Sequence, residues 1–455
     1  MCYSNSNSER IHRQLPRFFT LIFTAVVAIN PFINGQGKTW SVDDCINYAF
    51  EKNIQIRQAR VSSSISEQNL LLAEALRYPS LSGSARQNFS WSNQSDGIGG
   101  AEVFKGTNGT TLSLTSGMTL FNGYRLQNNK KMAEAGYEAS TYNIEVIKQT
   151  VSLNVLNAYL QVLYNQEQVK NSENQIISTT EQLNLADERL KLGVIANSDY
   201  LQVKSQLATE KQTLATAKSQ LAIDRVTLLQ IMLLPDTVEF NLANPNIDSL
   251  VRLNRFPSAA DVYKVALTFR PEIKSAELEK KSSEIAVDIA KAGLIPSISL
   301  NAGVSTSYSS VNTDRTYSGQ LGNNISPTVG LSAAVPIYTN RQARTNINTA
   351  RLNVSNADLN EENTLIALRV EIEQACLDVT TSQIEYQSSL DAYDAAKESF
   401  DVATEKFRQG IMNSVDYLVQ KTNLITAEST LLQAKYRLVF ADKVLDFYMG
   451  KPLSF

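Results

Sequence analysis

Two hydrophobic periods alternate along this chain, one typical of coiled-coil helices and the other of strands. Pro is absent from residues 124–192 and 337–409, and each stretch of about 70 residues predicts a helix of about 105 Å. Apolar residues recur in heptads in both stretches. In the second, one seam position holds Leu365, Ile372, Val379, Tyr386, Tyr393, Phe400 and Phe407, and the other holds Leu368, Ala375, Ser382, Ser389, Ala396 and Ala403. Large residues opposite mostly small ones predict close coiled-coil packing, with an ordinary helical bundle as the alternative.

Four shorter stretches have a hydrophobic period of two. After Pro296, the apolar residues Ile298, Leu300 and Val304 alternate with Ser, Asn and Gly. The alternation predicts strands at about 79–92, 109–121, 296–309 and 325–337, each with one face suited to lipid and one to water. The strand lengths match those of tilted transmembrane strands. A soluble hairpin with one face on a core is the alternative.

The segments that join each pair of strands have the composition of exposed loops. Residues 93–108 and 310–324 are rich in Gly, Ser, Asn and Asp, which favours hairpin ends in water. The aromatic residues near these ends are Phe89, Trp91, Phe104 and Tyr308. We expect them to form an aromatic girdle at the bilayer interface.

The sequence contains an internal repeat. A shift of 217 positions carries Gly193 onto Gly410 and also superposes the other matching segments without a gap. These segments are Pro79 to Ser82 on Pro296 to Ser299, Leu120-Phe121 on Ile337-Tyr338, and Ala49, Ile56 and Ala59 on Ala266, Ile273 and Ala276. Several matches at one offset indicate a tandem duplication.

The duplication defines the predicted domains. The first repeat is residues 36–234, with a long helix at about 123–192 and a return helix at about 198–233. The second repeat is residues 257–455, with the corresponding helices at about 339–409 and 414–449. A Pro-containing equatorial linker, residues 235–256, joins the two repeats.

Residues 1–35 are predicted to be a secretory signal peptide. Three Arg residues precede an apolar run from Phe18 to Ile29, which is too short to span a bilayer. We expect cleavage near Gly35 or Gln36. No later apolar run has the length of a membrane helix, so we expect entry into a membrane only as strands.

Composition excludes several classes of function. The net charge of −3 argues against a nucleic-acid partner, which would require a basic surface. One His and three Cys make a metal cluster or a cofactor site improbable. Cys45 and Cys376 are interpreted as free thiols. We therefore expect no enzyme, no metal and no cofactor.

Four strands cannot close a membrane barrel, because the smallest such barrels use about eight. The chain must therefore combine its strands with those of other copies. Two copies are the minimum, and twelve or sixteen strands in total are also compatible with the pattern.

The chain resembles the TolC family of outer-membrane efflux proteins. The resemblance covers residues 40 to 450 and rests on the Trp40 to Cys45 opening, the Pro-Ser strand starts at 79 and 296, the segment Leu120 to Gly123, and the paired segments from Gly193 to Asp199 and from Gly410 to Asp416. It implies a homotrimer in the outer membrane of a Gram-negative bacterium. Twelve strands would form a β-barrel in outer-membrane lipid, and the helices would continue it as a periplasmic α-barrel.

The resemblance also implies a function and partners. The protein would be the exit duct of a tripartite efflux pump or a type I secretion system. A periplasmic adaptor protein would open its periplasmic tip. An inner-membrane transporter of the RND, ABC or MFS type would supply the cargo, whose identity the sequence does not indicate.

The tips between the long and return helices are the predicted functional site. Gly193 and Gly410 each end a long helix as a left-handed cap, and we expect Asn197 and Ser414 to be the following N-caps. Asp199 and Asp416 then lie in the first turn of the return helices, where stabilisation of the helix dipole is one interpretation.

The resemblance assigns further roles to the tips. It implies an acidic constriction or gate at the entrance, for which Asp416 and Asp199 are the candidates, with Asp416 at the family's position. It also implies adaptor docking on Gly193, Val194, Gly410 and Ile411. The family often has a further acid one turn along and a basic residue after the tip Gly. Here Val419 and Met412 occupy those positions, which favours a single, weaker ring of charge.

Two other classes of protein are compatible with parts of the pattern. A secreted trimeric coiled-coil scaffold without a pore would explain the heptads but not the four amphipathic strands. A periplasmic adaptor would also contain a long helical hairpin, but a compact β-rich domain would replace the Ser-alternating strands.

Overall fold

The computed structural model describes residues 39–95, 102–235, 240–251 and 257–455. The predicted signal peptide and its cleavage site lie outside these ranges, as do residues 236–239 and 252–256 of the predicted linker. None of the described helices is long and apolar enough to cross a membrane.

Each half of the chain contributes short helices, one two-residue strand, two longer strands and two long helices. The elements of the first half are β1 Thr39–Trp40, α1 Val42–Lys52, α2 Ile54–Ala75, β2 Ser80–Ser95, β3 Glu102–Phe121, α3 Arg125–Lys191 and α4 Asn197–Met232. Those of the second half are β4 Asn241–Leu242, α5 Ala259–Phe269, α6 Pro271–Lys291, β5 Ser297–Ser309, α7 Tyr317–Asn323, β6 Ser326–Ala334, α8 Gln342–Arg408 and α9 Ser414–Tyr448. The four long helices begin and end within three residues of the predicted bounds.

The short helices begin at residues that suit helix starts. Ser41 caps α1 by accepting a hydrogen bond from the Asp44 backbone N–H at 3.1 Å, and the Asp44 carboxylate accepts one from the Ser41 N–H at 3.1 Å. Asn53 ends α1 and caps α2 through the Gln55 N–H at 2.8 Å. These side chains satisfy amide groups that the first helical turn leaves unpaired.

The two halves bury equivalent residues. Ala49, Ile56 and Ala59 of the first half are all buried, and so are Ala266, Ile273 and Ala276 at the corresponding positions of the second. Most of the buried apolar residues form one cluster that includes residues of α1, α3, α5, α8 and α9. The shared apolar positions therefore form a common core where the short helices meet the long ones.

The two seam positions of the long helices α3 and α8 are buried to different extents, the small residues more than the large ones. Each helix has 67 residues, or about 100 Å at 1.5 Å per residue. From Asn165 to the end of α3, the buried residues are the small and polar seam residues, namely Asn165, Ser172, Thr179 and Ala186. The large seam residues Tyr386, Tyr393, Phe400 and Phe407 of α8 are half-buried. Small side chains allow the helix backbones to approach closely, as the heptad pattern predicts.

The four long strands form one antiparallel sheet with the order β2-β3-β5-β6. Side chains directly opposite one another on paired strands share a face. Leu114 pairs with Val304, and Met118 with Leu300, on one face. Ser82 bonds to Thr115 at 2.9 Å and Ser84 to Ser113 at 2.7 Å on the other. The register thus gives the sheet one apolar face and one face of Ser, Thr, Asn and Gly.

The predicted loop at 93–108 is too long. The register of β2 and β3 continues outward to the pair of Ser95 and Glu102, so most of that segment belongs to strands. Paired backbone groups outweigh the polar composition from which a loop was predicted. At the other hairpin, β6 ends at Ala334, three residues before the predicted end at 337.

The predicted loop at 310–324 contains the short helix α7. Gln320 is buried and holds this segment against the end of β5. Its Nε2 donates to the carbonyls of Ser309 at 3.1 Å and Asn312 at 2.7 Å, and its Oε1 accepts from the Ser309 N–H at 3.0 Å. One buried amide therefore satisfies several backbone groups of the connection.

The helices follow the order of the strands. α2 packs against α3, α3 against α6, and α6 against α8. Each of these helices leads directly into or out of one strand of the sheet. Further from the sheet, α4 packs against α3, α3 against α9, and α9 against α8. The sheet and the helical layer that continues it, α2-α3-α6-α8, are therefore each a row of four elements with two edges.

Candidate functional site

The long helices end at the tips in the conformation that the glycines predict. Gly193 and Gly410 have φ values of 72° and 76°, which only glycine adopts without strain. The Val194 N–H donates to the Arg189 carbonyl at 3.0 Å, and the Ile411 N–H donates to that of Lys406 at 2.9 Å. Together with the glycine N–H groups, these bonds form the Schellman arrangement that ends a helix.

The predicted N-caps of the return helices are wrong by one residue. α4 begins at Asn197 and its N-cap is Ala196, which has no side chain able to accept a hydrogen bond. α9 begins at Ser414 and its N-cap is Asn413. The Asn413 Oδ1 accepts from the Asp416 N–H at 2.8 Å, and its Nδ2 donates to Asp416 Oδ2 at 2.8 Å. An Asn cap with an acid three residues on replaces the Ser cap that the sequence predicts.

The two tip aspartates have different surroundings. Asp199 is half-buried and accepts a hydrogen bond from Ser414 Oγ at 2.6 Å, so it links the first tip to the second. Asp416 is exposed and its carboxylate bonds within its own cap. The structure brings together Asp199 and Ser414, and not the two aspartates that the sequence singled out.

Arg189 makes a second link between the tips. Its guanidinium donates to the carbonyls of Phe407 at 3.2 Å and Arg408 at 2.9 Å, and it lies 5.5 Å from the centre of the Phe407 ring. The Phe407 carbonyl also accepts from the Gly410 N–H at 3.2 Å, within the cap of α8. A cation beside the last carbonyls of a helix is favoured by the helix dipole. Arg189 was not among the residues predicted from the sequence. Its position in the last turn of α3, where a basic residue is favoured, was the only indication of a role at the tip.

An aromatic cluster lies just behind the second tip. Tyr417 is 2% exposed, and its ring lies 4.6 Å from that of Phe407 and 5.5 Å from that of Phe400. The Gln182 side chain of α3 donates to the Tyr417 hydroxyl. Burial raises the pKa of the Tyr417 phenol, so the group is a neutral hydrogen-bonding side chain at physiological pH.

A buried ion pair lies further along the same helices. Lys421 of α9 is 3% exposed and Glu210 of α4 is 5% exposed. Lys421 Nζ lies 3.4 Å from Glu210 Oε1, and the Thr179 hydroxyl of α3 bonds to both side chains. Gln206 donates to Glu210 Oε1 at 3.0 Å. These four polar side chains connect α3, α4 and α9 away from water.

Burial governs the electrostatics of this pair. Desolvation lowers the pKa of the Lys421 ammonium, although Glu210 opposes the shift. A buried ion pair gains from mutual attraction but loses the hydration of both charges. The pair therefore depends on both partners, and loss of either one leaves an uncompensated charge.

The predicted girdle residues lie at the outer end of the sheet, on its apolar face. Phe89 and Trp91 are 61% and 64% exposed. The Tyr308 ring packs against that of Tyr317 of α7 at an angle of 58°, with ring centres 4.7 Å apart. Large apolar side chains in this position would contact a surrounding bilayer rather than water.

Outside the tips and the sheet, the described residues include two thiols and several cavities. In the described parts of the chain, no group of three or more His, Cys, Asp or Glu side chains could hold a metal ion. Cys45 and Cys376 are free thiols, as interpreted from the sequence. A cavity of about 450 Å³ between α3, α6, α8 and α9 is lined by both polar and apolar side chains. The tips and the sheet are the candidate functional regions.

Comparison with known proteins finds matches along most of the chain. The family model described as outer membrane efflux protein matches residues 45–232 and 262–451. The outer membrane efflux protein BepC of Brucella suis biovar 1 is 22% identical over 427 residues, which cover 93% of this chain and 89% of BepC.

Solved structures share the fold. The crystal structure of CusC aligns with a TM-score of 0.78 at 19% identity and covers 92% of this chain and 96% of that one. The CmeC outer membrane channel of Campylobacter jejuni aligns with a TM-score of 0.74 at 20% identity and covers 90% of this chain and 85% of its own.

Proposed function

Because this chain belongs to the outer membrane efflux protein family, we propose that it is the exit duct of a tripartite pump or type I secretion system. The family is one of efflux proteins of the outer membrane and not of enzymes. Membership favours a duct over the secreted scaffold without a pore. The observation that carries the proposal is a sheet with one apolar and one Ser/Thr-rich face, continued by helices of about 100 Å.

The duct requires several copies of the chain. β2 and β6 are the edges of the four-stranded sheet, and an unpaired edge is a template for another strand. In a head-to-tail ring, β6 of one copy pairs with β2 of the next, and the ring closes without an edge. Three copies supply twelve strands, so we propose a homotrimer with a β-barrel in outer-membrane lipid.

Apolar stripes on the outer helices of the row support the same ring. α2 and α8 are the edges of the helical row, as β2 and β6 are of the sheet. Both carry exposed apolar residues at heptad spacing. They are Ile54, Val61, Ile65 and Leu72 on α2, and Leu352, Leu359, Ile366, Val370 and Leu377 on α8. Packing of α8 on the α2 of the next copy would bury both stripes and form the periplasmic α-barrel.

The aromatic residues of the outer hairpins would position this barrel in the membrane. On the apolar face, Tyr308 lies at the level of Gln87, and Phe89 and Trp91 follow two and four residues further out along β2. At the outer interface of the bilayer, their rings would contact lipid and headgroups together. The Ser and Thr face would then line a water-filled exit.

The tips are the proposed entrance. Asp416 is exposed and would contribute one carboxylate per copy to a constriction that favours cations. Asp199 would hold the first tip against the second through Ser414. Opening would be a shift between two states, driven by a partner that contacts the open state better.

The outermost residues of the tips are the proposed adaptor surface. Val194 and Ile411 are 69% and 72% exposed, and no atom lies within 4 Å of the position that a Cβ would take on Gly193 or Gly410. A periplasmic adaptor that docks here would connect the duct to an inner-membrane transporter of the RND, ABC or MFS type.

The proposal is tested first on native protein. Envelopes are fractionated, and the cross-linked protein is sized in mild detergent. A trimer in the outer membrane that conducts ions in a planar bilayer is the expected result. A water-soluble monomer or dimer would contradict the duct.

The entrance is tested with single-channel recordings. Asp416→Ala is expected to lower the cation preference of the channel, because it removes the exposed carboxylate. Asp199→Ala is the matched control with a smaller effect on ion preference, because its carboxylate is half-buried and bonded to Ser414. Unchanged conductance and cation preference in Asp416→Ala would reject the assignment of the constriction.

A further inference from the structure

One charged residue, Arg86, lies on the polar face of the sheet in a row of paired residues that joins β2, β3 and β5. β6 does not extend as far as this row. Arg86 of β2 lies opposite Thr111 of β3, and Thr111 lies opposite Ser307 of β5. Ser84 and Ser113, two residues away along β2 and β3, share this face and bond to each other at 2.7 Å. The register therefore places the Arg86 side chain on the Ser/Thr face and not on the apolar face.

Arg86 is isolated from other charges along the strands. β5 and β6 contain no charged residue, and the other charged residues of β2 and β3 are Lys105 and Glu102. Lys105 pairs with Ser92, six residues further out along β2, or about 20 Å. Glu102 pairs with Ser95 at the outermost position. Asp314 and Arg315, in the segment that follows β5, have opposite charges.

The Arg86 side chain is exposed in the single chain. In the part of the chain that the structure describes, no hydrogen bond or ion pair occupies its guanidinium. An Arg on the lipid side of a barrel strand is costly, whereas substitutions on the lumen side change selectivity. A free guanidinium among hydroxyl groups is therefore suited to contact with the contents of the duct.

From this placement we infer that Arg86 is the ion-selectivity residue of the outer end of the duct and favours anionic solutes there. This inference rests on the proposed trimeric duct. Three copies place three guanidinium groups around one water-filled exit, where they attract anions and repel cations. The chemical class that they favour is a solute with a carboxylate or phosphate group, because the guanidinium donates two parallel hydrogen bonds to either.

The charge at the outer end is opposite to that at the proposed entrance. Asp416 contributes a carboxylate at the tip, and Arg86 a guanidinium at the sheet. The two assignments therefore predict opposite changes in ion preference when each charge is removed, so one set of recordings distinguishes them.

The test is the reversal potential of single channels in a KCl gradient, measured for the full-length protein in planar bilayers. The series is wild type, Arg86→Lys, Arg86→Gln and Arg86→Glu, with Asn88→Gln as a neutral control on the same face. Coulomb's law in water at about 10 Å gives a factor of about two for each ion and each charge, in opposite directions for chloride and potassium. We therefore expect the chloride-to-potassium permeability ratio to fall by up to about fourfold for each charge removed from the ring, and by less where salt screens the charge. Arg86→Lys and Asn88→Gln should match wild type.

Ionic strength provides a second readout. The screening length is about 10 Å at 0.1 M salt and about 30 Å at 0.01 M. The difference between Arg86→Glu and wild type should therefore increase as the salt is diluted. A defect in folding or assembly would change the number of channels and not this dependence.

The outcomes separate the two proposals. Channels whose permeability ratio follows the charge at position 86 support the inference. Channels that conduct normally but have the same ratio in Arg86→Gln and Arg86→Glu overturn it and leave the duct intact. Failure of the wild-type protein to form channels overturns the proposed duct and the inference with it.

Discussion

Three residues at the start of the first return helix are identical to their equivalents in the second, but the fold places the two sets in different surroundings. Asp199, Tyr200 and Lys204 of α4 correspond to Asp416, Tyr417 and Lys421 of α9. In α4 the aspartate and the tyrosine are half-buried and the lysine is exposed. In α9 the aspartate is exposed, whereas the tyrosine and the lysine are buried.

The difference follows from the position of each return helix in the row. α9 lies between α8 and α3, whereas α4 packs mainly on α3 at the edge. A helix between two neighbours buries a wider face than a helix at an edge. Duplication of a sequence therefore does not duplicate the environments of its residues, and the second tip is the more firmly packed of the two.

The largest effect that tests this difference is the loss of one partner from the buried ion pair. Glu210→Ala leaves the Lys421 ammonium buried without its counter-charge, and we expect the free energy of unfolding to fall by about 3–5 kcal/mol. The measurement is the urea midpoint of the helical circular dichroism signal in detergent.

The matched control for this pair is the equivalent lysine of the first repeat. Lys204→Ala removes an exposed ammonium 5.9 Å from the Tyr200 ring and should change stability by no more than about 0.5 kcal/mol. The double variant Glu210→Met, Lys421→Met should recover most of the loss, because it buries no charge. Equal effects of Glu210→Ala and Lys204→Ala would contradict a stabilising buried ion pair between α4 and α9.

A smaller effect is expected from the link between the tips. Ser414→Ala removes the hydroxyl that donates to Asp199 at 2.6 Å, and a hydrogen bond to a charged group contributes about 1.5–3 kcal/mol when it is protected from water. Because this bond is partly exposed, we expect about 1 kcal/mol and a wider separation of the tips.

The separation is measured as the distance between spin labels on Ile195 and Met412. Thr422→Ala is a control on the same helix, since its hydroxyl bonds only to the Leu418 carbonyl of its own helix at 2.8 Å. An unchanged distance distribution in Ser414→Ala would show that Arg189 or the helix packing alone holds the tips together.

The tyrosines provide a third comparison. Tyr417→Phe keeps the stacking on Phe407 but removes the hydroxyl that accepts from Gln182, and should cost about 1 kcal/mol. Tyr200→Phe, in the half-buried equivalent position, should have an effect close to zero. The urea midpoints of the two variants decide whether the hydroxyl at the second tip is energetically distinct.

The smallest effect concerns pH. Desolvation lowers the pKa of Lys421 from its ordinary value of 10.5, so the unfolded chain binds more protons than the folded one between the two values. The Lys421 contribution to stability therefore rises with pH up to about 10.5. The difference in urea midpoint between wild type and Lys421→Met should change in this direction, whereas Lys204→Met should follow wild type. A flat difference would indicate an unshifted lysine.

Much of the fold follows from local signals in the sequence. The lack of Pro and the heptads gave the bounds of α3 and α8 to within three residues, and Gly193 and Gly410 marked their ends. The alternation of apolar and polar residues assigned the faces of the strands, because successive side chains of a strand point to opposite faces of the sheet. The outer hairpins were less predictable. The extension to Ser95 and Glu102, and the buried Gln320 that organises α7, depend on partners from other segments.

At the candidate site, the sequence by itself determined which residues occupy the tips, and the tertiary structure decided what surrounds them. It identified both glycine caps and both aspartates, because caps and first-turn acids act within one helical turn. It could not identify the contact of Arg189 with α8, the bond from Ser414 to Asp199 or the burial of Lys421. These depend on which helix lies beside which, and residues that are identical at equivalent repeat positions carry no information about that choice.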